Sequence, residues 1–316
     1  MEKKYHGLVP PIVTPILENE DVDEKSFRAL IDYSLDNGTD GIFVCGTNGE
    51  TMQLTQAQRN NAIRICVDQT KGRVPVFAGV MDTSTRRVID NIKAAQDVGA
   101  TAMAVTPIFY DRHTSQDETV RHFERILKET DDSLDIFVYN IPPFTGEKIS
   151  PKAALEIAAL SPRVRGYKDS SGANGEFLKV LEAKKDDMNF SVLEGIPIQG
   201  MGAFLFGCDG YVPALGPCFP ELFSTCYKVG RAGDIDLAWK CQKLIRETGA
   251  INLIGKNPTA SSKYAISLRV PGMRKDVIWP QDVTTAEDEQ KIKAKVAEID
   301  EHWADLHKEI KAKLGF

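Results

Sequence analysis

Short, nearly unbroken apolar runs alternate along this chain with longer segments whose apolar residues recur every three or four positions. HGLVPPIVTP reads as a first strand, and VDEKSFRALIDYSLDNG as a helix stopped by Gly38. GIFVCG is a second strand, followed by a helix opening at Thr55 and closing at Gly72. VPVFAGV, with a helix over Ser84 to Val98, and AMAVTP, with a helix over Ser115 to Glu129, continue the pattern. DIFVYNIP, VRGYKDS, FSVLEG and CDGYVPAL supply strands five to eight. Strands apolar nearly throughout, such as GIFVCG and AMAVTP, are expected where a parallel sheet is covered on both sides. Eight strand–helix units predict a (β/α)8 TIM barrel. An open doubly wound sheet has the same period, but no GxGxxG follows the first strand and the count reaches eight.

From about residue 231 the strand signal stops. Asp234 to Thr248, Ala260 to Leu268 and Thr284 to Leu314 read as helices. This predicts a barrel domain over 1–230 that holds the active site, and a C-terminal helical subdomain over 231–316. The last helix carries a stripe of Ile292, Val296, Ile299, Trp303, Leu306 and Ile310, which suits docking on the barrel or a neighbouring subunit.

The 316 residues accommodate a barrel of ~250 residues and a helical appendix. A net charge of −6 with both signs interspersed argues against a nucleic-acid footprint, and 42% hydrophobic content is ordinary for a globular protein. No apolar run approaches the ~18 residues of a membrane span, and MEKKYHGLVPP has no apolar h-region, so a cytoplasmic protein is expected. The six cysteines, Cys45, Cys66, Cys208, Cys218, Cys226 and Cys241, form no CxxC pair and have no histidine at ligand spacing. They read as reduced core thiols, with no metal site and no cofactor.

Barrel active sites lie at the C-terminal ends of the strands. That rule selects Thr47 and Asn48, Phe109 and Tyr110, Tyr139, Lys168, Glu194 and Gly195. In VRGYKDSSG a period of two places Val164, Gly166 and Lys168 on one face, against Arg165, Tyr167 and Asp169. An ammonium ending an apolar strand is costly unless paired, neutralised or used in chemistry. As a nucleophile, Lys168 adds to the ketone of a 2-oxo acid and forms an iminium, an electron sink for making or breaking a carbon–carbon bond. Tyr139 is then the proton shuttle, and Thr47 and Asn48 hold the carboxylate by hydroxyl and backbone N–H donors. Strand geometry alone leaves open the alternative of a snorkelling lysine bonded to Asp169 or a carbonyl. Glu50 is either a general acid or a residue satisfying orphan N–H groups at a helix start.

The motifs GTNGET (46–51), VTP (105–107), YNIP (139–142), GYKDSSG (166–172) and LEG (193–195) occur in order and at matching spacing. Together they resemble the dihydrodipicolinate synthase / N-acetylneuraminate lyase family of class I, Schiff-base aldolases, from about Gly7 to about Leu268. The resemblance implies a pyruvate imine on Lys168, Tyr139 as the central acid/base, Thr47 as relay, and a homotetramer of paired dimers. It also implies a further relay tyrosine from a neighbouring subunit, at Phe109 or Tyr110 in the loop PIFYDR; the tyrosine serves if the loop carries one extra residue. Gly195, Phe144 and Ser170 join Thr47 and Asn48 as expected substrate-binding residues.

Two departures narrow the substrate. The lysine-pathway synthases usually place an arginine two residues after YNxP, where this chain has Phe144. A phenyl ring cannot supply a guanidinium's bidentate grip on a carboxylate. Sialic acid lyases place an acidic pair after the LEG-like glycine, where this chain has Ile196, Pro197 and Ile198. The expectation is an aldolase or dehydratase-aldolase acting on pyruvate and an aldehyde, with a 2-keto-3-deoxy sugar acid or a hydrophobic aldehyde as partner. The lysine-pathway synthase is the alternative, and a non-catalytic ligand-binding relative the third reading.

Overall fold

A computed structural model describes residues 5–184 and 189–316. Residues 1–4, at the start of the amino-terminal segment in which no h-region is found, lie outside the described residues. The order is β1 (Gly7–Leu8), α1 (Glu24–Asp36), β2 (Ile42–Val44), α2 (Gln56–Thr70), β3 (Val76–Gly79), α3 (Thr85–Asp97), β4 (Ala102–Val105) and α4 (Gln116–Glu129). Then come β5 (Asp135–Asn140), α5 (Pro142–Thr145), α6 (Pro151–Leu160), β6 (Val164–Asp169), α7 (Asn174–Ala183), β7 (Ser191–Glu194), α8 (Gly200–Leu205) and β8 (Gly210–Tyr211). Four helices follow: α9 (Pro220–Ala232), α10 (Ile235–Gly249), α11 (Pro258–Ser267) and α12 (Ala286–Leu314).

All eight strands pair in parallel, in the order β1-β8-β7-β6-β5-β4-β3-β2. The predicted first strand is cut to two residues, because Pro10 and Pro11 have no N–H to give a ladder. The seam between β1 and β2 is nevertheless joined: Gly41 N–H donates to Leu8 O, Phe43 N–H to Pro10 O, and Ile12 N–H to Phe43 O. The ring of strands is therefore a (β/α)8 barrel.

Alternate residues along each strand point into separate cores, one outside the ring of strands and one within it. Ile42, Val44, Met103, Val105, Ile136, Val138 and Val192 face the helices. Val9, Phe43, Phe77, Ala102, Ala104, Phe137, Tyr139 and Leu193 fill the lumen with Tyr5. The lumen is aromatic: Phe137 meets Tyr5 and Phe77 edge-on, each with ring centroids 4.8 Å away. Tyr5 donates its hydroxyl to Asp135 at 2.5 Å. Gly166 is obligatory beside them, since a Cβ there would stand 2.3 Å from the Phe137 ring and 2.5 Å from Ser191 O.

The period-two reading of β6 fails at its first residue. The β5–β6 register shifts between Ile136 and Phe137, pairing Ile136 with Val164 and Phe137 with Gly166. Arg165 is the extra residue of a bulge, so Val164 packs in the outer core rather than beside Gly166 and Lys168. Arg165 turns its guanidinium to Asp135 at 3.2 Å.

Helix starts follow the expected caps. Thr55 accepts from Gln58 N–H in a reciprocal capping box, and Ser84, Ser115 and Asp234 cap α3, α4 and α10. On α12, Ile292, Val296, Ile299, Leu306 and Ile310 are buried, with Trp303 partly so, mainly against α10 and α11. No helix of the described residues is long and apolar enough to cross a membrane.

Because the lumen is packed ring against ring, truncating Phe137 leaves a void its neighbours cannot fill. Phe137→Ala is expected to cost about 3–5 kcal/mol, read as a lowered urea midpoint at unchanged slope.

Candidate active site

Lys168 leaves β6 pointing into the lumen at the C-terminal end of the strands, beside Tyr139 across the β5–β6 ladder. Its side chain is buried, with Nζ 3.8 Å from the centroid of the Tyr139 ring and 4.5 Å from that of Phe43. Among the described residues no carboxylate pairs with it. Asp169, the partner offered by the snorkelling alternative, faces the other way and accepts from Asn140 Nδ2 and the Ser171 N–H. Burial alone pulls the Lys168 amine well below the ordinary lysine range. A neutral amine in an apolar pocket can attack a carbonyl.

Around the amine stand the hydroxyls. Thr47, from the loop after β2, and Ser170, just past β6, bring their hydroxyls to the Tyr139 phenol. Burial pushes that phenol up to about 12, with the Thr47 and Ser170 hydroxyls opposing the rise. A phenol held protonated between two hydroxyls can hand a proton out and take one back. The three residues lie on β5 and just after β2 and β6, and only the closed barrel assembles them.

The Asn48 side chain has a structural tie of its own. Its Nδ2 donates to Pro11 O at 3.1 Å and Ala214 O at 2.8 Å, tying the loop to the segments after β1 and β8. Its backbone N–H and its side-chain carbonyl are left for a ligand. Gly195 gives its N–H to Asp169 O at 2.7 Å, and a Cβ there would stand 2.2 Å from Ser170 Oγ. Its role is close approach. Glu194 turns to the outer side of β7, where burial raises its carboxyl to about 8, and it does not line the cavity.

The cavity above Lys168 has a volume of about 280 Å³, at the small end for a ligand site. Phe144, exposed on α5, stands at its mouth with Ile141, Pro143 and Ile196. Among the described residues Lys168 is its only charged wall residue. Sequence reasoning missed its far wall, where α11 and the turn before it bring Asn252, Thr259 and Ser262. A second cavity of about 190 Å³ adjoins it, lined by Thr47, Thr106, Met81 and Phe109. Phe109 packs on the lumen core. Tyr110 is 94% exposed at φ +75° and stays outside its own chain's cavity.

Glu50 does neither of the things expected of it. It sits at φ +55°, fully buried, with Oε2 2.7 Å from Lys263 Nζ on α11, and Oε1 accepts the Ile278 N–H at 2.8 Å. Lys263 is completely buried as well. The loop carrying Thr47 is thus clamped to the C-terminal helices by a desolvated ion pair. A lysine amid the small residues of PTASSKYAIS was the available clue.

A parallel barrel whose strand ends gather an unpaired lysine, a phenol and two hydroxyls has the groups that amine-nucleophile chemistry on a carbonyl needs. The Dihydrodipicolinate synthetase family model matches residues 4–299, and the chain belongs to that family of lyases. It is 30% identical to the 4-hydroxy-tetrahydrodipicolinate synthase of Maridesulfovibrio salexigens over 275 residues, 84% of this chain and 92% of the relative. The synthase of the same name from Hydrogenobaculum sp. is 31% identical over 288 residues, covering 91% of this chain and 96% of that one. The dihydrodipicolinate synthase structure from Bacteroides thetaiotaomicron superposes with TM-score 0.88 at 29% identity, over 94% of this chain and all (100%) of that one. YagE, an E. coli K12 prophage protein of the same family solved with pyruvate, gives 0.88 at 25%, over 94% of this chain and 99% of its own.

Two outcomes follow from the buried charges. Lys263→Met strands the Glu50 carboxylate and is expected to cost about 3–5 kcal/mol in denaturant unfolding, with Glu50→Gln added to it restoring some of the loss. For Lys168 the folded amine holds its proton less tightly than the unfolded one. Below the ordinary lysine value of 10.5 the unfolded chain therefore binds the extra proton, and stability falls as pH falls. Lys168→Met is expected to unfold at higher denaturant than the wild type at pH 7, with the gap narrowing as pH rises toward 10.5.

Proposed function

We propose that this chain is a class I aldolase that joins pyruvate to, or releases it from, an uncharged aldehyde, as in 2-keto-3-deoxy sugar acids. The observation that carries the reading is Lys168, buried without a counter-charge beside Tyr139 in a cavity with no other charged wall residue among the described residues. The Lys168 amine adds to the pyruvate ketone, the carbinolamine oxygen takes a proton and leaves as water, and a protonated imine remains. Loss of a proton from the methyl carbon gives the enamine, which attacks the aldehyde carbon. Tyr139 protonates the new alkoxide, and water returns to the imine to release product. Thr47 carries protons to and from Tyr139, and Ser170 holds the phenol in place. The carboxylate lies against the backbone of the Thr47–Asn48 loop, beside Gly195.

In this reading the barrel over 1–230 does the imine chemistry, and the helices over 231–316 close the cavity. Tyr110, displayed on a left-handed backbone outside its own site, completes the relay of a neighbouring subunit in a homotetramer. Its seat there is the second cavity, whose wall holds the buried Thr51 and Thr106 hydroxyls. A cytoplasmic location agrees with the six free, buried cysteines.

A specific observation also favours a second reading, 4-hydroxy-tetrahydrodipicolinate synthase, because curated relatives near 30% identity bear that name. Against it, Phe144 holds the arginine position. Arg112 spends an N–H on Gly146 O at 2.9 Å and does not line the cavity.

Borohydride reduction in the presence of pyruvate is expected to leave a covalent adduct on Lys168, found by peptide mass. Lys168→Ala removes both adduct and turnover. Tyr139→Phe slows turnover by about 10²–10⁴-fold and leaves the adduct detectable. Among aldehydes, neutral hydroxyaldehydes should turn over and aspartate semialdehyde should not; efficient condensation with the semialdehyde selects the second reading.

A further inference from the structure

Among the cavity's wall residues, one polar side chain is oriented yet has donors to spare. Asn252 sits in the 3₁₀ turn Ala250–Leu253 between α10 and α11, half-buried on the far wall of the cavity. Its Oδ1 accepts the hydroxyl of Ser262 at 2.6 Å, and Ser262 is itself 3% exposed. A serine hydroxyl can donate or accept; here it donates to Oδ1, which turns Nδ2 the other way. Among the described residues Nδ2 has no acceptor, so both its N–H groups are free for whatever fills the cavity. Thr259, half-buried on the same wall, also has an unpaired hydroxyl among the described residues.

The wall is held rigidly. Ser262, which orients Asn252, precedes Lys263 on α11, and Lys263 is clamped to Glu50 of the loop that carries Thr47. One turn of helix therefore references the far wall to the imine end. Prearranged neutral donors facing apolar residues such as Ile141 and Ile196 suit a ligand with hydroxyl oxygens and no charge. A carboxylate or phosphate on that end would meet no cation among the described wall residues there.

We propose that Asn252, oriented by Ser262, is the specificity-determining residue for the aldehyde half of the substrate. It donates to a hydroxyl beyond the bond made or broken and selects short, neutral, hydroxylated aldehydes. The proposal rests on the aldolase reading and adds a residue from outside the barrel to it. Ser262 is a positioning residue, acting through Asn252.

The test is retro-aldol cleavage by the full-length enzyme of two substrates of equal chain length. One is a 2-keto-3-deoxy acid with hydroxyls beyond the scissile bond; the other keeps only the hydroxyl at that bond. Pyruvate–borohydride labelling of Lys168 reports that each variant is folded. Wild type should favour the hydroxylated substrate. Asn252→Ala should lower its kcat/KM roughly 10- to 100-fold while changing the deoxygenated one less than about 3-fold. Ser262→Ala should raise KM for the hydroxylated substrate by about 3- to 10-fold with kcat nearly kept, and Asn252→Gln should recover some of the preference. Equal losses on both substrates in Asn252→Ala, in enzyme that still labels, overturn the proposal and leave the aldolase reading standing. A wild type that labels at Lys168 yet cleaves neither substrate, and instead condenses aspartate semialdehyde, overturns the aldolase reading itself.

Discussion

Keeping an ammonium group charged in a buried, water-free lumen without a counter-ion is costly even beside ring faces that attract it, and the strand ends of this barrel are arranged around that constraint. Lys168 enters the lumen between Phe43 and Tyr139, while the adjacent carboxylate, Asp169, is carried by strand alternation to the opposite face. Asn140 and the Ser171 N–H hold Asp169 there. Desolvation is the cause of the lysine's shift, and the amine holds its proton less tightly than an ordinary lysine does. The surrounding packing serves the same end. Gly166 leaves room for Phe137, and the Phe137–Tyr5–Phe77 cluster seals the lumen beneath the reactive end. A buried amine of this kind lowers stability wherever the unfolded chain would hold the proton.

The C-terminal helices belong to the site as much as the strands do. Lys263 and Glu50 are 213 positions apart in the chain, yet they meet at 2.7 Å with neither exposed to water. A buried pair of this sort contributes little net stability over an apolar substitute, but either half alone is strongly unfavourable. It therefore works as a registration device. The loop after β2, left-handed at Cys45 and Glu50, is tied to α11 by this pair. The cavity wall made by Asn252, Thr259 and Ser262 comes from the same docking.

Much of this was legible in the chain. Thr55, Ser84, Ser115 and Asp234 announced helix starts because a side-chain oxygen capping orphan N–H groups is a local event. The apolar runs announced strands because a parallel sheet is covered on both sides. Lys168, Tyr139 and Thr47 were placed together because each follows or ends a strand, and barrel closure brings all strand ends to one rim. Val164 was misplaced because a bulge depends on how the partner strand packs, which β6 alone cannot disclose. The tie made by the Asn48 amide was not legible because Pro11 and Ala214, its acceptors, are distant in sequence or on another strand's exit. Glu50 looked like a helix-start carboxylate because nothing local points to Lys263.

By itself, then, the sequence determined the element order, the caps, the family resemblance and the kind of chemistry. All of these rest on periodicity, local hydrogen bonding or motif spacing. Tertiary structure alone decided that the lysine has no counter-ion among the described residues and that the Asn48 amide nitrogen is spent on backbone carbonyls. It alone placed Tyr110 outside its own cavity and built the far wall from α11 and the turn before it. Desolvation and long-range pairing are properties of a neighbourhood, and a neighbourhood exists only once the barrel has closed and the C-terminal helices have docked.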